Sequence, residues 1–215
     1  FPDYSIVDPE LTYSLLPYQT AVSGMDALCQ GIESFWSLNS TRESRRFSRE
    51  AIRLVLQNIE KTVLNPDKQS RLSMCRGSHL AGKAINIAKT TAPHAFSYPL
   101  TRFFGIPHGH AVSLSIGQFY EHNCRIDVYN EGTDPGNGII STMSELNKIM
   151  DVENFLEAKR KINSLMDRID LSLNLPNTID YDLEVSRVIE NVNMERLVNH
   201  PVKIETSDLM KIFKS

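Results

Sequence analysis

The sequence predicts an all-α protein built as a bundle of packed helices. Apolar residues recur at three- and four-residue steps in successive segments from about residue 20 onward, and no segment shows a convincing β-strand alternation. Gly, Pro and Asn residues separate these segments and mark the turns. The chain has 215 residues, of which 41% are hydrophobic, and this is enough to bury a sizeable core.

Residues 1–18 are predicted to be a connector that precedes the bundle. They hold Pro2, Pro9 and Pro17 and only short apolar steps, which favours an extended lead-in with at most one helical turn. The chain begins at Phe1 without a methionine, a basic segment or an apolar leader, so we expect it to be cut from a longer protein. Residues 19–215 then form the predicted helical domain that binds metal and substrate.

Two long amphipathic helices are predicted at the start of this domain. Residues 20–37 carry one apolar stripe, which places Asp26, Gln30 and Glu33 together on a neighbouring face. Residues 43–64 follow, with a hydroxyl residue just ahead of them as the cap. The stripe of the first helix consists of Met25, Leu28, Ile32 and Phe35.

The third helix, predicted over residues 69–88, combines an apolar stripe with small residues that allow helices to approach closely. We expect it to be central and buried along Leu72, Cys75, His79 and Leu80. After a break at residues 89–93, a short helix starts at His94, and Pro99 must bend or end it. Later helical segments are expected at residues 111–120, 136–150, 154–168, 180–192 and 206–214.

Composition excludes several functional classes. The 23 basic and 26 acidic residues give a net charge of -3, so no broad attraction to nucleic acid or to an acidic membrane surface is expected. No apolar run approaches the length of a membrane span. The three cysteines are far apart and form no C-x-x-C pair, which argues against a disulfide framework or a zinc knuckle and favours a reducing cytoplasm.

An aspartate with an amide one turn later and two histidines around a helix break form the main chemical constellation. If Asp26, Gln30, His94 and His108 converge, their carboxylate and imidazole groups suit a divalent first-row metal. The spacing alone is not diagnostic, because Asp26 could cap a helix and histidines in an apolar stretch are commonly core residues. The residues themselves leave both interpretations open.

Three motifs in this region resemble those of iron-containing (group III) alcohol dehydrogenases. GMDAL at Gly24, HAFSYP at His94 and GIPHG at Gly105 resemble the family's G-M-D-A-L-x-H, H-x-x-x-H-P and G-I-P-H-G elements, in the family's order and spacing. Residues 8–11 and 191–212 resemble the entry to and the close of the family's helical domain. The resemblance covers nearly the whole chain. It implies the dehydroquinate synthase-like helical fold of that C-terminal domain, without the N-terminal α/β nucleotide-binding domain.

The resemblance implies that Asp26, His94 and His108 hold a divalent metal, Fe²⁺ by the family's name. Two positions depart from the common pattern: Gln30 replaces a histidine ligand, and Tyr98 replaces the histidine four residues after the third ligand. Gln30 is then either a weak neutral ligand or a hydrogen-bond partner beside the metal. Related glycerol dehydrogenases use one Asp and two His for zinc, so Zn²⁺ is the alternative.

The implied activity is the NAD(P)H-linked reduction of an aldehyde, whose carbonyl the metal would polarise toward hydride. NAD(P)H would be bound mainly by the missing N-terminal domain, so this chain alone is expected to be inactive. His110 is a candidate for proton transfer or substrate contact, and Tyr98 for donating its hydroxyl. The alternative for His110 is an ordinary polar residue on the next helix, and the alternative for Tyr98 is a tyrosine that only packs. The glycines at 132–138 are expected to form a surface turn, since no strand precedes them as a phosphate loop requires.

Within the family, the motifs are most similar to those of phosphonoacetaldehyde reductases, which implies reduction of phosphonoacetaldehyde to 2-hydroxyethylphosphonate. Lys89, five residues before His94 at a helix break, is the predicted substrate-binding residue for the phosphonate. Arg76, Lys83 and Arg102 are the other basic residues near the site in sequence.

Three other functions stay open on the sequence. The first is a zinc-type glycerol or polyol dehydrogenase or another short-chain aldehyde reductase. The second is not enzymatic: a helical interaction module with core histidines. The third is a dehydroquinate synthase, which shares the two-domain plan but has a glutamate in its metal set where Asp26 lies here. Family members often dimerise, so a homodimer is expected.

Overall fold

The computed structural model describes residues 4–125, 138–176 and 180–213. Over these ranges the chain forms nine α-helices and two short 3₁₀ turns and contains no β-strand, which confirms the all-α prediction. Helices α1 to α5 are Pro17–Trp36, Arg42–Leu64, Lys68–Ala88, Ala92–Phe104 and His108–Cys124. Helices α6 to α9 are Ile139–Met150, Phe155–Arg168, Tyr181–Glu190 and Thr206–Phe213. The 3₁₀ turns are Pro9–Thr12 and Met194–Leu197.

Local sequence signals start the first three helices. Pro17 lies in the first turn of α1, where its missing N–H is not needed. Thr41 and Ser44 form a capping box at α2, because each hydroxyl accepts a hydrogen bond from the other residue's amide. Asp67 and Ser70 form the same reciprocal pair at α3. The predicted surface turn at 132–138 lies outside the described residues, except for Gly138, which precedes α6.

The predicted buried face of α3 is wrong. Leu72 and His79 are exposed, and the helix instead buries Met74, Gly77 and Ala81. A Cβ on Gly77 would lie 3.1 Å from the Val55 side chain of α2. Gly77 therefore faces the neighbouring helix, since a small residue permits the close approach, while Leu72 and His79 are left toward solvent.

Of the two outcomes predicted for Pro99, bending or ending its helix, the end does not occur, because α4 continues to Phe104. A proline inside a helix removes one backbone hydrogen bond and costs roughly 3 kcal/mol. The Pro99 ring is buried, as are the neighbouring side chains of Phe96 and Leu100. Apolar burial of this segment offsets the lost bond.

Helix α1 is the centre of the bundle. It contacts α2, α3, α5 and α6, and α5 in turn contacts α4 and α7. Its apolar stripe is fully buried, as predicted, at Met25, Leu28, Ile32 and Phe35. The neighbouring polar face is half-buried at Asp26 and Gln30, and Glu33 on it has no exposed surface. Among the described residues, no helix has both the length and the apolar character needed to cross a membrane.

Helices α1 and α5 approach each other closely at Gly109. A Cβ at this position would lie 2.3 Å from the backbone oxygen of Val22 and 2.8 Å from Asp26 Cβ. A backbone atom of a packed helix cannot move aside as a flexible side chain can, so the contact requires glycine. This approach brings His108, the first residue of α5, next to Asp26.

His200 ties the C-terminal segment to the core. It is buried, its Nε2–H donates to Asn123 Oδ1 over 2.8 Å, and the Ala92 amide points at its Nδ1 over 3.5 Å. Its ring packs edge-on against Trp36 and Phe119. Burial lowers the pKa of His200 well below its usual value, so the ring is neutral in the folded protein.

We expect Gly109→Ala to lower the free energy of unfolding by about 1–3 kcal/mol, because the new methyl group must push α1 and α5 apart. Gly82→Ala on α3 is the matched control, since a Cβ there meets nothing within 4 Å. The control should gain about 0.5–1 kcal/mol from the loss of a mid-helix glycine. Urea unfolding of the two variants measures both values. A gain in stability for Gly109→Ala would contradict the close contact.

We expect His200 to make the fold sensitive to acid. Its folded pKa is depressed below 6.5, so its stabilising effect is present above the unfolded value and is lost as the pH falls. Between about pH 7.5 and pH 5.5, the stability advantage of the wild type over His200→Gln should shrink by about 1 kcal/mol. Urea unfolding across this range tests it, and parallel curves for the two proteins would be evidence of a histidine that titrates normally.

Candidate metal centre

Side chains from three helices converge at one point beside α1. Asp26 comes from the middle of α1, His94 from the first turn of α4 and His108 from the first position of α5. Potential ligand atoms of the three lie within 4.8 Å of one another. Asp26 Oδ1 is 3.5 Å from His94 Nε2 and 3.9 Å from His108 Nε2. The sequence placed these residues in separate segments, and the fold brings them together.

Asp26 presents one bonded and one unbonded carboxylate oxygen. Gln30, one turn later on α1, donates its amide to Asp26 Oδ2 over 2.8 Å. Oδ1 is buried, and no hydrogen-bond donor satisfies it among the residues that the structure describes. An orphaned, buried anionic oxygen is costly, so its position between two imidazoles fits a bound cation. In this conformation Gln30 acts on the aspartate, with its NH₂ group directed at the carboxylate.

Glu33 sets the orientation of His94. Its Oε1 lies 2.5 Å from His94 Nδ1, and its Oε2 accepts hydrogen bonds from the amide and the hydroxyl of Thr91 at 2.7 and 2.9 Å. Since a carboxylate accepts, Nδ1 of His94 carries the proton, and Nε2 faces Asp26. Trp36 Nε1 also donates to the Thr91 hydroxyl over 2.9 Å, which fixes that residue.

Ser97 orients His108 in a similar way. Its hydroxyl donates its single proton to the His94 carbonyl over 2.7 Å, so its contact of 3.2 Å with His108 Nδ1 requires an N–H donor on the ring. Nε2 of neutral His108 is then unprotonated and faces Asp26. Both imidazoles thus direct Nε2 toward Asp26 Oδ1, the arrangement needed for a shared ion.

The electrostatics of the cluster favour a cation. Burial disfavours the charged ring of His94, but the carboxylates of Glu33 and Asp26 outweigh it and raise the pKa of His94 to about 10. Burial lowers the pKa of His108, which keeps its ring neutral. A divalent ion bound there would displace the second proton of His94, and the two carboxylates would then balance its charge.

The hydrogen bonds of His110 go to residues outside the cluster. Its Nε2–H donates to the Ser172 carbonyl over 2.7 Å, and its Nδ1 faces the Tyr18 hydroxyl at 3.3 Å. Both ring nitrogens are therefore occupied, and the side chain is buried. These contacts support the structural alternative for His110 and give no support to the predicted proton transfer.

Tyr98 lies at the edge of the cluster. Its ring is tilted against His108, with centroids 5.6 Å apart, and 46% of the residue is exposed. Arg196, in the second 3₁₀ turn, donates to the Tyr98 hydroxyl over 3.0 Å. The Arg196 guanidinium carbon also lies 4.6 Å from the centre of the Tyr98 ring. Sequence reasoning missed Arg196, because nothing in the local sequence connects it with residues about a hundred positions earlier.

A cleft of about 390 Å³ opens beside His94, between the start of α4 and the second 3₁₀ turn. We call it the α4 cleft; its lining includes Lys89, His94, Tyr98, Glu195 and Arg196. A larger groove of about 1020 Å³ lies between α2 and α6, but none of the three clustered residues lines it. Of the three clustered residues, His94 lines the α4 cleft, whereas Asp26 and His108 do not.

Lys89 ends α3 in an unusual backbone conformation, with φ 63° and ψ 172°. Such a conformation costs a non-glycine residue about 1–3 kcal/mol and persists only where the surroundings hold it. Asn199 does so, because its amide donates to the carbonyls of Ala88 and Thr90 on either side. The backbone of the predicted substrate-binding lysine is therefore fixed beside the α4 cleft, which the residue lines.

Comparison of the sequence with known proteins identifies its relatives. A model described as the Fe-containing alcohol dehydrogenase family, C-terminal, matches residues 20–215. A phosphonoacetaldehyde reductase from Streptomyces viridochromogenes is 38% identical over 123 residues, which cover 57% of this chain and 31% of that protein. Long-chain-alcohol dehydrogenase 1 from Geobacillus thermodenitrificans is 44% identical over 108 residues, which cover 50% of this chain and 27% of that protein.

Solved structures match over the whole chain. A sulfoacetaldehyde reductase from Bifidobacterium kashiwanohense, in complex with NAD⁺, superposes with a TM-score of 0.85 at 32% identity, covering 100% of this chain and 54% of that one. An iron-containing alcohol dehydrogenase from Thermococcus thioreducens has the same fold, with a TM-score of 0.85 at 19% identity, over 99% of this chain and 54% of that one. The chain therefore spans about half the length of these structures.

Proposed function

The chain belongs to the iron-containing alcohol dehydrogenase family, and we propose that it forms the metal- and substrate-binding half of an enzyme that reduces a small aldehyde to an alcohol with NAD(P)H. The observation that carries this proposal is the convergence of Asp26, His94 and His108 around the orphaned Asp26 Oδ1. A helical interaction module would not need that arrangement of buried charge.

We assign Asp26 Oδ1, His94 Nε2 and His108 Nε2 as the ligands of a divalent metal, Fe²⁺ or Zn²⁺. When bound there, such an ion acts as a Lewis acid on a carbonyl oxygen. One oxygen and two nitrogen donors suit either metal. Gln30 is assigned as the hydrogen-bond partner that positions Asp26, because its amide nitrogen faces the carboxylate.

The reduction adds a hydride to the carbonyl carbon and a proton to the carbonyl oxygen, while NAD(P)H becomes NAD(P)⁺. Of the two predicted catalytic residues, Tyr98 fits the proton step better than His110. Its oxygen accepts from Arg196, so its own O–H is left to donate into the α4 cleft. We place NAD(P)H mainly on the part of the longer relatives that this chain does not cover.

For the substrate, we propose phosphonoacetaldehyde, which would yield 2-hydroxyethylphosphonate. Two relatives are named for aldehydes that carry a tetrahedral oxyanion, a phosphonate in one and a sulfonate in the other. Lys89, which lines the α4 cleft, provides a cation for such a group. The competing possibility, an uncharged alcohol or aldehyde, is favoured by the similarity to a long-chain-alcohol dehydrogenase.

The metal assignment predicts one divalent ion per chain, with Asp26→Asn losing it. Glu33→Gln should weaken the affinity by about ten- to hundredfold, because the orientation of His94 loosens while the ligands remain. Glu50→Gln, an exposed change on α2, is the control. Competition with a chromogenic chelator measures the affinities. If the wild type binds no stoichiometric Zn²⁺ or Fe²⁺, the histidines are core residues and the interaction-module alternative gains support.

The substrate assignment predicts that the complete enzyme carrying this chain has its highest kcat/KM with phosphonoacetaldehyde. Sulfoacetaldehyde should follow, with lactaldehyde and butyraldehyde well behind, because only the first two carry an anion for Lys89. Initial rates with NADH and with NADPH measure this order and the nucleotide preference. A preference for butyraldehyde would overturn the substrate assignment and leave the reaction class in place.

A further inference from the structure

The α4 cleft contains two cations that face it from different parts of the chain. Lys89 comes from the end of α3 and Arg196 from the second 3₁₀ turn, and both line the cleft together with His94. Neither of them forms an ion pair with a carboxylate over the described ranges, although Glu195 also lies on the cleft wall. Unpaired cations in a concave site beside a candidate metal centre favour an anionic ligand.

Arg196 is held in position while most of its donors stay available. One Nη1–H bonds the Tyr98 hydroxyl at 3.0 Å, and the guanidinium packs on the Tyr98 ring. The planar guanidinium retains further N–H groups in a fork that matches two oxygens of a tetrahedral anion. Because Tyr98 itself packs against His108, this fork lies one side chain away from the candidate metal centre.

Lys89 is the second cation that lines the α4 cleft. Its ammonium donates to the Asn86 carbonyl at 3.2 Å, a single contact that leaves other N–H donors for a ligand. Its backbone is held by Asn199, which also lines the α4 cleft. Two positive charges on a preorganised frame match the two negative charges of a phosphonate better than one charge would.

We infer that Arg196 is the specificity-determining residue of the site and that, with Lys89, it binds the tetrahedral oxyanion of the substrate while the aldehyde faces the candidate metal centre. This inference rests on the proposed reductase function and names the substrate class, small aldehydes with a tetrahedral oxyanion. Arg196 selects for the anion, and Tyr98 holds Arg196 in position through its hydroxyl and its ring.

The kinetic test uses the complete enzyme and compares phosphonoacetaldehyde with butyraldehyde. Arg196→Gln should lower the ratio of their kcat/KM values by about ten- to hundredfold, mainly through KM for the anionic aldehyde, as expected for loss of a charged hydrogen bond. Arg196→Lys should recover part of the ratio, since it keeps the charge and loses the fork. Arg76→Gln is the control, because Arg76 is exposed on α3 and does not line the α4 cleft. A ratio unchanged in Arg196→Gln, or lowered equally in the control, would overturn the inference.

A binding test separates this inference from the proposed function. Ethylphosphonate carries the head group without an aldehyde, and calorimetry with the complete protein measures its affinity directly. Binding that weakens at least about tenfold in Arg196→Gln and in Lys89→Gln, but not in Arg76→Gln, supports the oxyanion site even if no aldehyde is reduced. Reductase activity without ethylphosphonate binding would leave the proposed function in place and refute the role of Arg196. Ethylsulfonate in the same assay distinguishes a requirement for two charges from a requirement for any tetrahedral oxyanion.

Discussion

The buried carboxylate of Glu33 is the constraint on which the geometry of the site depends. A charged group without exposed surface is tolerated only when its oxygens are bonded, and here His94 and Thr91 supply the donors. These bonds join the last turn of α1 to the break between α3 and α4. The break cannot shift without leaving that charge unpaired, so the His94 ring is held in one orientation with a proton on Nδ1. The same break carries Lys89, and its placement at the α4 cleft follows from the same constraint.

The lack of a side chain at Gly109 sets the position of His108 in the site. Gly109 lets α5 lie against the backbone of α1, and His108 is adjacent to it in the chain. Asp26 and Glu33 lie on one face of α1, so this single helix supplies a candidate ligand and the group that orients a second one. The three candidate ligands therefore belong to packed helices, and none depends on a mobile loop. Rigid helices of this kind hold metal ligands close to the positions and orientations that coordination requires.

Helix positions were predictable from the sequence because apolar periodicity and caps are local signals, as at the capping box of Thr41. The buried face of α3 was not, since close approach of small residues depends on the partner helix. The motifs identify Asp26, His94 and His108 as candidate ligands, but the distances between them are set by the fold. The role of Glu33 depends on contacts with residues 58 and 61 positions away. Arg196 meets Tyr98 across 98 positions, and no sequence period links them.

The two departures from the common family pattern contact different candidate ligands, since Gln30 bonds Asp26 and Tyr98 packs against His108. Gln30 occupies Asp26 Oδ2, so one carboxylate oxygen and two imidazoles remain as donors, and three protein donors with an open place are typical of catalytic zinc sites. At Tyr98, an imidazole would become a like-charged neighbour of Arg196 whenever it was protonated. A phenol instead accepts the arginine's N–H and offers a ring face to its guanidinium. Tyr98 therefore allows Arg196 to lie near the proposed metal. An anionic aldehyde needs this cation, because its oxyanion must be bound at the same time as its aldehyde group faces the metal.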